Sequence, residues 1–350
     1  GNETDSEIER AWYQYDLGQV YRNEGQSPPL DMRIRVGRDY TEIGTALVLS
    51  MPLDMVLVEL AGGGFELSGL LGATPLDTPN IDPSEPVFDH MERCFWGFEL
   101  AYADLARHRP FVYVLSQDDH TGEHPRDPDQ SYDYDSTYVG GGSEGTLLLS
   151  GLRYQTELVG QWGRTFSEGR TGMRTDIEAW ALDVLLEYFV EHPTKPRLSA
   201  EYLFASGDDD RRLGSTSTIG GNLINTDDRA FNAFGFRDTG LAFAPRISNL
   251  QMYALGASFF PLAERGDLFE KMEWGTKVFL YHKAVDEGPI SDFAATRPEG
   301  CLGWEWDVHC DWRITSDVTF TIRYGAFMPG AAFENDSCRH FLYSAVTFSF

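Results

Sequence analysis

No run of apolar residues in this 350-residue chain approaches the roughly 18 that a membrane-crossing helix needs. Cysteine is scarce too: the four, Cys94, Cys301, Cys310 and Cys338, include no CxxC pair. That excludes a disulfide-stapled scaffold and a zinc ribbon. Positive charge is the third shortage. With 28 Lys and Arg against 55 Asp and Glu the net charge is −27, and such a surface repels nucleic acid and other polyanions. No HExxH or Walker motif is present. His282 and His340 fall at outward strand positions, with no serine placed beside them as a barrel-borne lipase would need. An enzyme is therefore not expected. No repeat of about 40 residues occurs, which counts against a propeller. A signal peptide is missing at Gly1, so the chain is expected to be the mature or trimmed form of an exported protein.

What the chain does have is aromatic side chains and glycine. Tyr, Phe and Trp number 16, 23 and 8, and there are 35 Gly. Rings of this kind fit a pleated surface, and Tyr and Trp suit a membrane interface. The mean hydropathy of −0.33 alone suggests a water-soluble chain. A transmembrane β-barrel gives the same average, because only alternate residues of each strand meet lipid.

Period-two alternation is the dominant pattern. In 302–314, Leu302, Trp304, Trp306, Val308, Cys310 and Trp312 oppose Gly303, Glu305, Asp307, His309, Asp311 and Arg313. The same contrast recurs at 31–37, 152–163, 196–207, 271–283 and 318–328. Segment 176–190 has no clean helical face, whereas alternation sets Trp180, Leu182, Val184, Leu186 and Tyr188 against Asp183 and Glu187. It is expected to be a strand.

Sixteen candidate strands follow, near 12–22, 31–39, 42–51, 53–62, 64–74, 94–106, 109–118, 132–143, 147–165, 175–190, 196–207, 248–262, 271–284, 302–314, 317–330 and 339–350. Tight turns (Ala61–Gly64, Arg107–His108, Ser143–Gly145, Glu191–Lys195, Thr315–Asp317) alternate with long polar connections at 75–93, 119–131, 166–174, 208–247, 285–301 and 331–338. The connection at 51–53 is short where a long one is due. Short periplasmic turns alternating with long extracellular loops are the layout of a bacterial outer-membrane barrel. The expected fold is all-β: a transmembrane antiparallel up-and-down barrel of about 16 to 18 strands, integral to the outer membrane of a Gram-negative cell. Residues 1–11 are expected to be a periplasmic segment and 12–350 the single barrel, with an even strand count placing both ends on one side. The last strand ends on Phe348 and Phe350, which resemble the signal read by the barrel-assembly machinery.

Two stretches carry a further likeness. Arg33-Ile34-Arg35-Val36-Gly37-Arg38 is one; the other is Asp227-Asp228-Arg229-Ala230-Phe231-Asn232-Ala233-Phe234-Gly235-Phe236-Arg237-Asp238, followed by Asn249-Leu250 at the start of a strand. Both resemble elements of the alginate-export family of outer-membrane proteins. The resemblance implies a barrel and an export channel lined with arginine for a polyanion. This chain departs from that lining. Its inward positions mix Arg33, Arg35, Arg153, Arg197, Lys277 and Arg323 with Glu99, Glu157, Asp183, Glu187, Glu201, Glu273, Asp307 and Asp311. A selective polyanion pore wants a net positive constriction. The family's best-known members also have about 18 strands, more than the sixteen counted here.

The expected function is a porin-like channel for passive diffusion of small hydrophilic solutes, with the 14 charged residues just named lining the pore. Two alternatives remain: a channel for export or uptake of a neutral or cationic saccharide, and a plugged structural barrel that binds partners or lipopolysaccharide. Segment 208–247 is too long and its centre too apolar for a free aqueous loop. Residues Asp227, Asp228, Arg229, Phe231, Phe234, Phe236, Arg237 and Asp238 are the candidates for a constriction folded into the pore, packing on neighbouring outer loops or at a subunit interface being the other option. Catalytic residues, a cofactor and a metal site are not expected. Ca²⁺ at Asp208-Asp209-Asp210, or at Asp127, Asp129, Asp133 and Asp135, is the one ion the chemistry admits, and an acidic solvated loop is the plainer account. His120 and His124 lie in a loop broken by Gly122 and Pro125, which makes a metal pair unfavourable. Expected partners are outer-membrane lipid, lipopolysaccharide and the assembly machinery, with no nucleic acid. A homotrimer or partner proteins are left open, as is disulfide pairing among Cys94, Cys301 and Cys338.

Overall fold

A computed structural model of the chain describes residues 10–26, 30–75, 81, 92–121, 133–170, 172–218, 220–266 and 268–349. The described residues form fifteen strands: β1 (Ala11–Asp16), β2 (Asp31–Ile43), β3 (Leu49–Gly62), β4 (Phe65–Ala73), β5 (Arg93–Tyr102), β6 (His108–Asp119), β7 (Asp135–Thr146) and β8 (Leu152–Phe166), then β9 (Arg174–Phe189), β10 (Arg197–Ala205), β11 (Leu250–Phe259), β12 (Met272–His282), β13 (Cys301–Arg313), β14 (Val318–Pro329) and β15 (Arg339–Phe348). One short helix, α1 (Leu17–Asn23), follows β1. Every strand pairs antiparallel with its neighbour in sequence, in a single meander from β1 to β15. No described helix is long and apolar enough to cross a membrane.

Alternation sets the two faces. Along β5, Arg93, Phe95, Glu99 and Ala101 are buried, while Trp96, Phe98 and Leu100 stand exposed at 46, 48 and 39 %. Large rings exposed in this way on strand after strand form the apolar outer band of a transmembrane barrel. The opposite face holds the buried core. Backbone turns fit the register: β3 and β4 are joined by Gly63-Gly64, whose φ angles of +59° and +79° suit the two-residue hairpin turn that other residues enter only with strain.

The count is fifteen strands where sixteen are expected, and the reason is local. Segment 42–51 is not a strand of its own. Its first residues finish β2, its last begin β3, and 44–48 turn between them. The sequence hides this because β3 runs straight through Pro52, where no connection exists. The predicted strand 12–22 is also shorter, since Asp16 caps α1 by accepting from the Gln19 amide at 2.7 Å. The turn expected at Ser143–Gly145 lies instead at 147–151, after a longer β7. The strand at 176–190 is present as β9.

An odd count changes the ends. Ala11 begins β1 opposite Arg38, part-way along β2, and β1 runs from there to the short-turn end, where Phe348 also ends β15. β15 pairs with β14, and a ladder from β15 back to β1 is not found among the described residues. Residues 1–9 of the expected periplasmic segment, and Phe350 of the expected assembly signal, lie outside the described residues.

Candidate functional site: the lumen and its inward loop

Cross-strand register places all 14 predicted pore residues on the inner face. Arg153 pairs with Glu187, and Glu157 with Asp183, across β8 and β9; Glu273 pairs with Asp311, and Lys277 with Asp307, across β12 and β13. They do not share one environment. Glu99, Glu157, Asp183 and Asp307 are buried where the inward-folded chain meets the wall. Arg33, Arg153, Glu187, Arg197, Glu201, Glu273, Lys277, Asp311 and Arg323 are partly or fully exposed. Arg35 is part-buried, bonded to Asp39 at 2.7 Å and stacked 4.9 Å from the inward-facing Trp12 ring.

Burial at one end comes from chain folded into the barrel. Segment 206–249 leaves β10 and runs first along β9, where the Asp228 amide donates to Asp176 O and the Glu178 amide donates to Asp228 O, both at 2.8 Å. Asn232 then bridges to β7 and β8: its carbonyl accepts from Tyr138 Oη at 2.6 Å and its amide donates to Gln161 Oε1 at 3.0 Å. Phe234 reaches β3, six strands from β9. Its amide donates to Val48 O at 2.7 Å, its carbonyl accepts from the Ser50 amide at 3.0 Å, and its ring meets Phe95 edge-on at 4.9 Å. Phe231 and Phe234 are fully buried. Of the predicted constriction residues, these two and Asp228 are core, while Phe236 and Asp238 are exposed to the cavities below.

The chain then crosses back. Arg237 Nε donates to Asp183 Oδ2 at 2.8 Å, and its other nitrogen reaches Thr45. Glu157 and Asp183 are like charges directly opposite on adjacent strands, a destabilising pair when bare. Arg237 answers one; the amide and hydroxyl of Thr45, both 2.6 Å from Glu157 Oε2, answer the other, with Tyr113 donating to its second oxygen. Asp238 sits 3.2 Å from Lys277 Nζ, which also contacts Glu201 at 3.1 Å. Finally the fully buried Glu305 accepts from three successive amides, Leu241, Ala242 and Phe243, at 2.6, 2.6 and 2.8 Å. Phe243 stacks on Phe327 with centroids 4.3 Å apart.

Sequence reasoning found this loop from its apolar centre but missed its anchors. Glu305 alternates inward like its neighbours, and nothing in its own strand marks it as the acceptor for a distant backbone. The inward turn 44–48 was hidden inside a supposed strand. Two buried ion pairs also went unseen: Arg211–Asp228 at 2.6 Å and Arg93–Asp119 at 3.0 Å, the first fully buried on both sides. Burial pushes the Asp228 carboxyl up from the usual range, and the Arg211 guanidinium opposes that.

Below the loop the lumen holds cavities. Cavities of about 530 and 440 Å³ lie on either side of the arm formed by Phe236, Arg237 and Asp238, and share Lys277 and His309. A third, about 530 Å³, lies at the short-turn end beside Arg109, Arg153 and Glu144. The acidic triplet Asp208-Asp209-Asp210 is spatially compact. Asp208 is occupied by its own loop: Oδ2 accepts from Asn222 Nδ2 and the Arg229 amide, both at 2.7 Å, and Oδ1 from the Asp210 amide at 2.8 Å. Asp135 accepts from the Asp119 amide at 2.9 Å, and Asp127, Asp129 and His124 lie outside the described residues. The four cysteines are unpaired thiols.

A search of curated proteins returned no match. Among solved structures the chain is similar to OccK3 (OpdO) of Pseudomonas aeruginosa, at 13 % identity and a TM-score of 0.52, covering 92 % of this chain and 78 % of that one. It is also similar to the outer membrane protein opdK from Pseudomonas aeruginosa, at 12 % identity and a TM-score of 0.51, over 92 % and 77 % of the two chains. At such identities the likeness shows the fold. The sequence model of the alginate-export family matches residues 83–346. That stretch holds the inward loop, the carboxylates that anchor it, the ten strands from β5 to β14 and most of β15. The chain therefore belongs to the alginate-export family and is an integral β-barrel of the bacterial outer membrane.

Proposed function

We propose that the protein is a channel for passive diffusion of small hydrophilic solutes, with the inward loop 206–249 as its constriction. The observation that carries this reading is the arm at Arg237 and Asp238, which divides the lumen between two water-accessible cavities and is lined on both sides by charges of mixed sign. Opposed charges across a narrow aqueous passage orient dipolar solutes, while the width left by the arm sets the size limit. Membership of a family named for alginate export does not by itself favour alginate here. A polyanion needs a positive track, and the inner face of this barrel carries more carboxylates than cations.

Single-channel recording in planar bilayers tests the proposal. Steady current through the purified protein is expected, and an electrically silent protein would sink it. Removal of the arm residues 236–240 should raise the conductance; an unchanged value would mean that the loop is not the constriction. Block of the current by a sugar would select the saccharide route instead. A plugged scaffold is the second reading, favoured by the zero exposure of Phe231, Phe234, Leu47 and Val48 inside the barrel. It predicts that silence.

A further inference from the structure

The barrel wall holds two pairs of like charges directly opposite on neighbouring strands: Glu157–Asp183 on β8 and β9, and Glu273–Asp311 on β12 and β13. Such pairs are destabilising unless something positive or hydrogen-bonding lies over them. The first is answered by Arg237 and by Thr45. The second is answered on one side only. Asp311 accepts from Thr321 Oγ1 at 2.7 Å and lies 3.9 Å from Arg323, whereas Glu273 has no basic partner among the described residues.

A second observation points the same way. Asp307, only 6 % exposed, lines the 440 Å³ cavity, and its Oδ1 has no hydrogen-bond partner among the described residues. Lys277 stands opposite Asp307 in the register but is drawn away to Glu201 and Asp238. The cations here are already spent. Arg197 is bound to Glu187, and Arg237 to the buried Asp183. Together the two cavities on either side of the arm are lined by seven carboxylates and five Lys or Arg side chains.

From this we infer that the channel prefers cations, and that Glu273, Asp307 and Asp311 set the preference. The inference rests on the channel reading above and names the solute class for it: small hydrophilic solutes of net positive charge, inorganic or organic. An anion entering the chamber meets Arg197, Arg237 and Lys277 already paired with carboxylates. A cation meets a like-charge pair whose repulsion it relieves, and a buried carboxylate oxygen that lacks a donor. Acidic rings select cations in other pores by the same electrostatics.

The test is the reversal potential of the purified full chain in a planar bilayer under a KCl gradient. K⁺ is expected to be several-fold more permeant than Cl⁻. The preference should shrink as salt rises, because screening shortens from about 30 Å at 0.01 M to about 3 Å at 1 M. Glu273→Gln with Asp311→Asn should bring the permeability ratio towards unity, and Lys277→Gln, which frees Glu201 and Asp238, should raise it. Heat-modifiable electrophoretic mobility confirms that each variant is folded; Asp311→Asn alone, with the same expected direction, serves if the double variant is not. A channel that favours Cl⁻, or a ratio indifferent to all these changes, would overturn the inference and leave the channel reading standing. A silent protein overturns both.

Discussion

The two halves of the lumen are built from the same strands but held together by different physics. Towards the long connections the inner face is apolar, and inward-folded chain completes a dry core: Leu49, Met51, Leu53, Phe95, Tyr113 and Leu115 on the wall meet Leu47, Val48, Phe231 and Phe234 from the turn and the loop. Buried carboxylates there are met by donors from the inward chain, as Glu305 is by three amides. Towards the short turns the inner face is charged and wet. Its ion pairs, such as Arg109 with Glu66 and Glu99 at 2.9 and 3.0 Å, lie beside cavities and remain partly exposed. Removing a partner should therefore be expensive in the first half and cheap in the second, where the consequence is carried by the current.

The largest effect is expected from Arg211→Ala. Asp228 would remain fully buried with no counter-charge, and breaking such a pair costs about 3–5 kcal/mol. The loop should undock and become cleavable by protease while the barrel keeps its heat-modifiable mobility. Replacing the pair together, Arg211→Met with Asp228→Leu, should restore much of the protection, because an apolar pair of similar volume carries no desolvation penalty. A loop as resistant in Arg211→Ala as in the parent would show that the dry half does not depend on charge matching.

Phe234→Ala comes next. Its ring is fully buried against Phe95 and under Arg93, and truncation of such a side chain costs about 3–5 kcal/mol, part of it relieved if the site collapses. The main-chain bonds to Val48 and Ser50 survive, so partial loosening is expected: larger and noisier conductance with intermediate protease sensitivity. Gly235→Val separates packing from backbone fit, since a Cβ at that position would lie 2.0 Å from Leu47 O. It should loosen the loop at least as much as Phe234→Ala. A quiet, parent-like current from both variants would remove the loop from the conduction path.

This division explains what the sequence could and could not disclose. Where the inner face is wet, strict alternation exposes it, and β8, β12, β13 and β14 fall close to their predicted spans. Where the inner face is dry, alternation no longer sets apolar residues outward and polar ones inward. In β3 the inward set is Leu49, Met51, Leu53 and Met55, with Ser50, Pro52, Asp54 and Val56 outward, the reverse of the usual barrel pattern. The 44–48 turn therefore disappeared into a strand, and the count rose by one. The loop was recognisable because Phe231, Phe234 and Phe236 are too apolar for water. Its anchors were not, because Glu305, Thr45 and Gln161 act on backbone groups distant in sequence, and one strand's pattern carries no information about those.

The smallest stability effect, and the sharpest contrast, is expected from Arg109→Gln. Its side chain is 31 % exposed and shares its charge among Glu66, Glu99 and Glu144, so no single pairing is essential. Solvent-accessible ion pairs of this kind contribute about 0–1 kcal/mol, less in salt. Thermal unfolding followed by mobility should therefore be nearly unchanged. Conduction should not be. Losing one cation at the short-turn mouth leaves three carboxylates less compensated, which raises the local cation concentration and the K⁺ conductance at low salt, with the gain fading at high salt. If Arg109→Gln instead unfolds the barrel as readily as Arg211→Ala undocks the loop, the wet half is held by its ion pairs as firmly as the dry half, and the contrast between them fails.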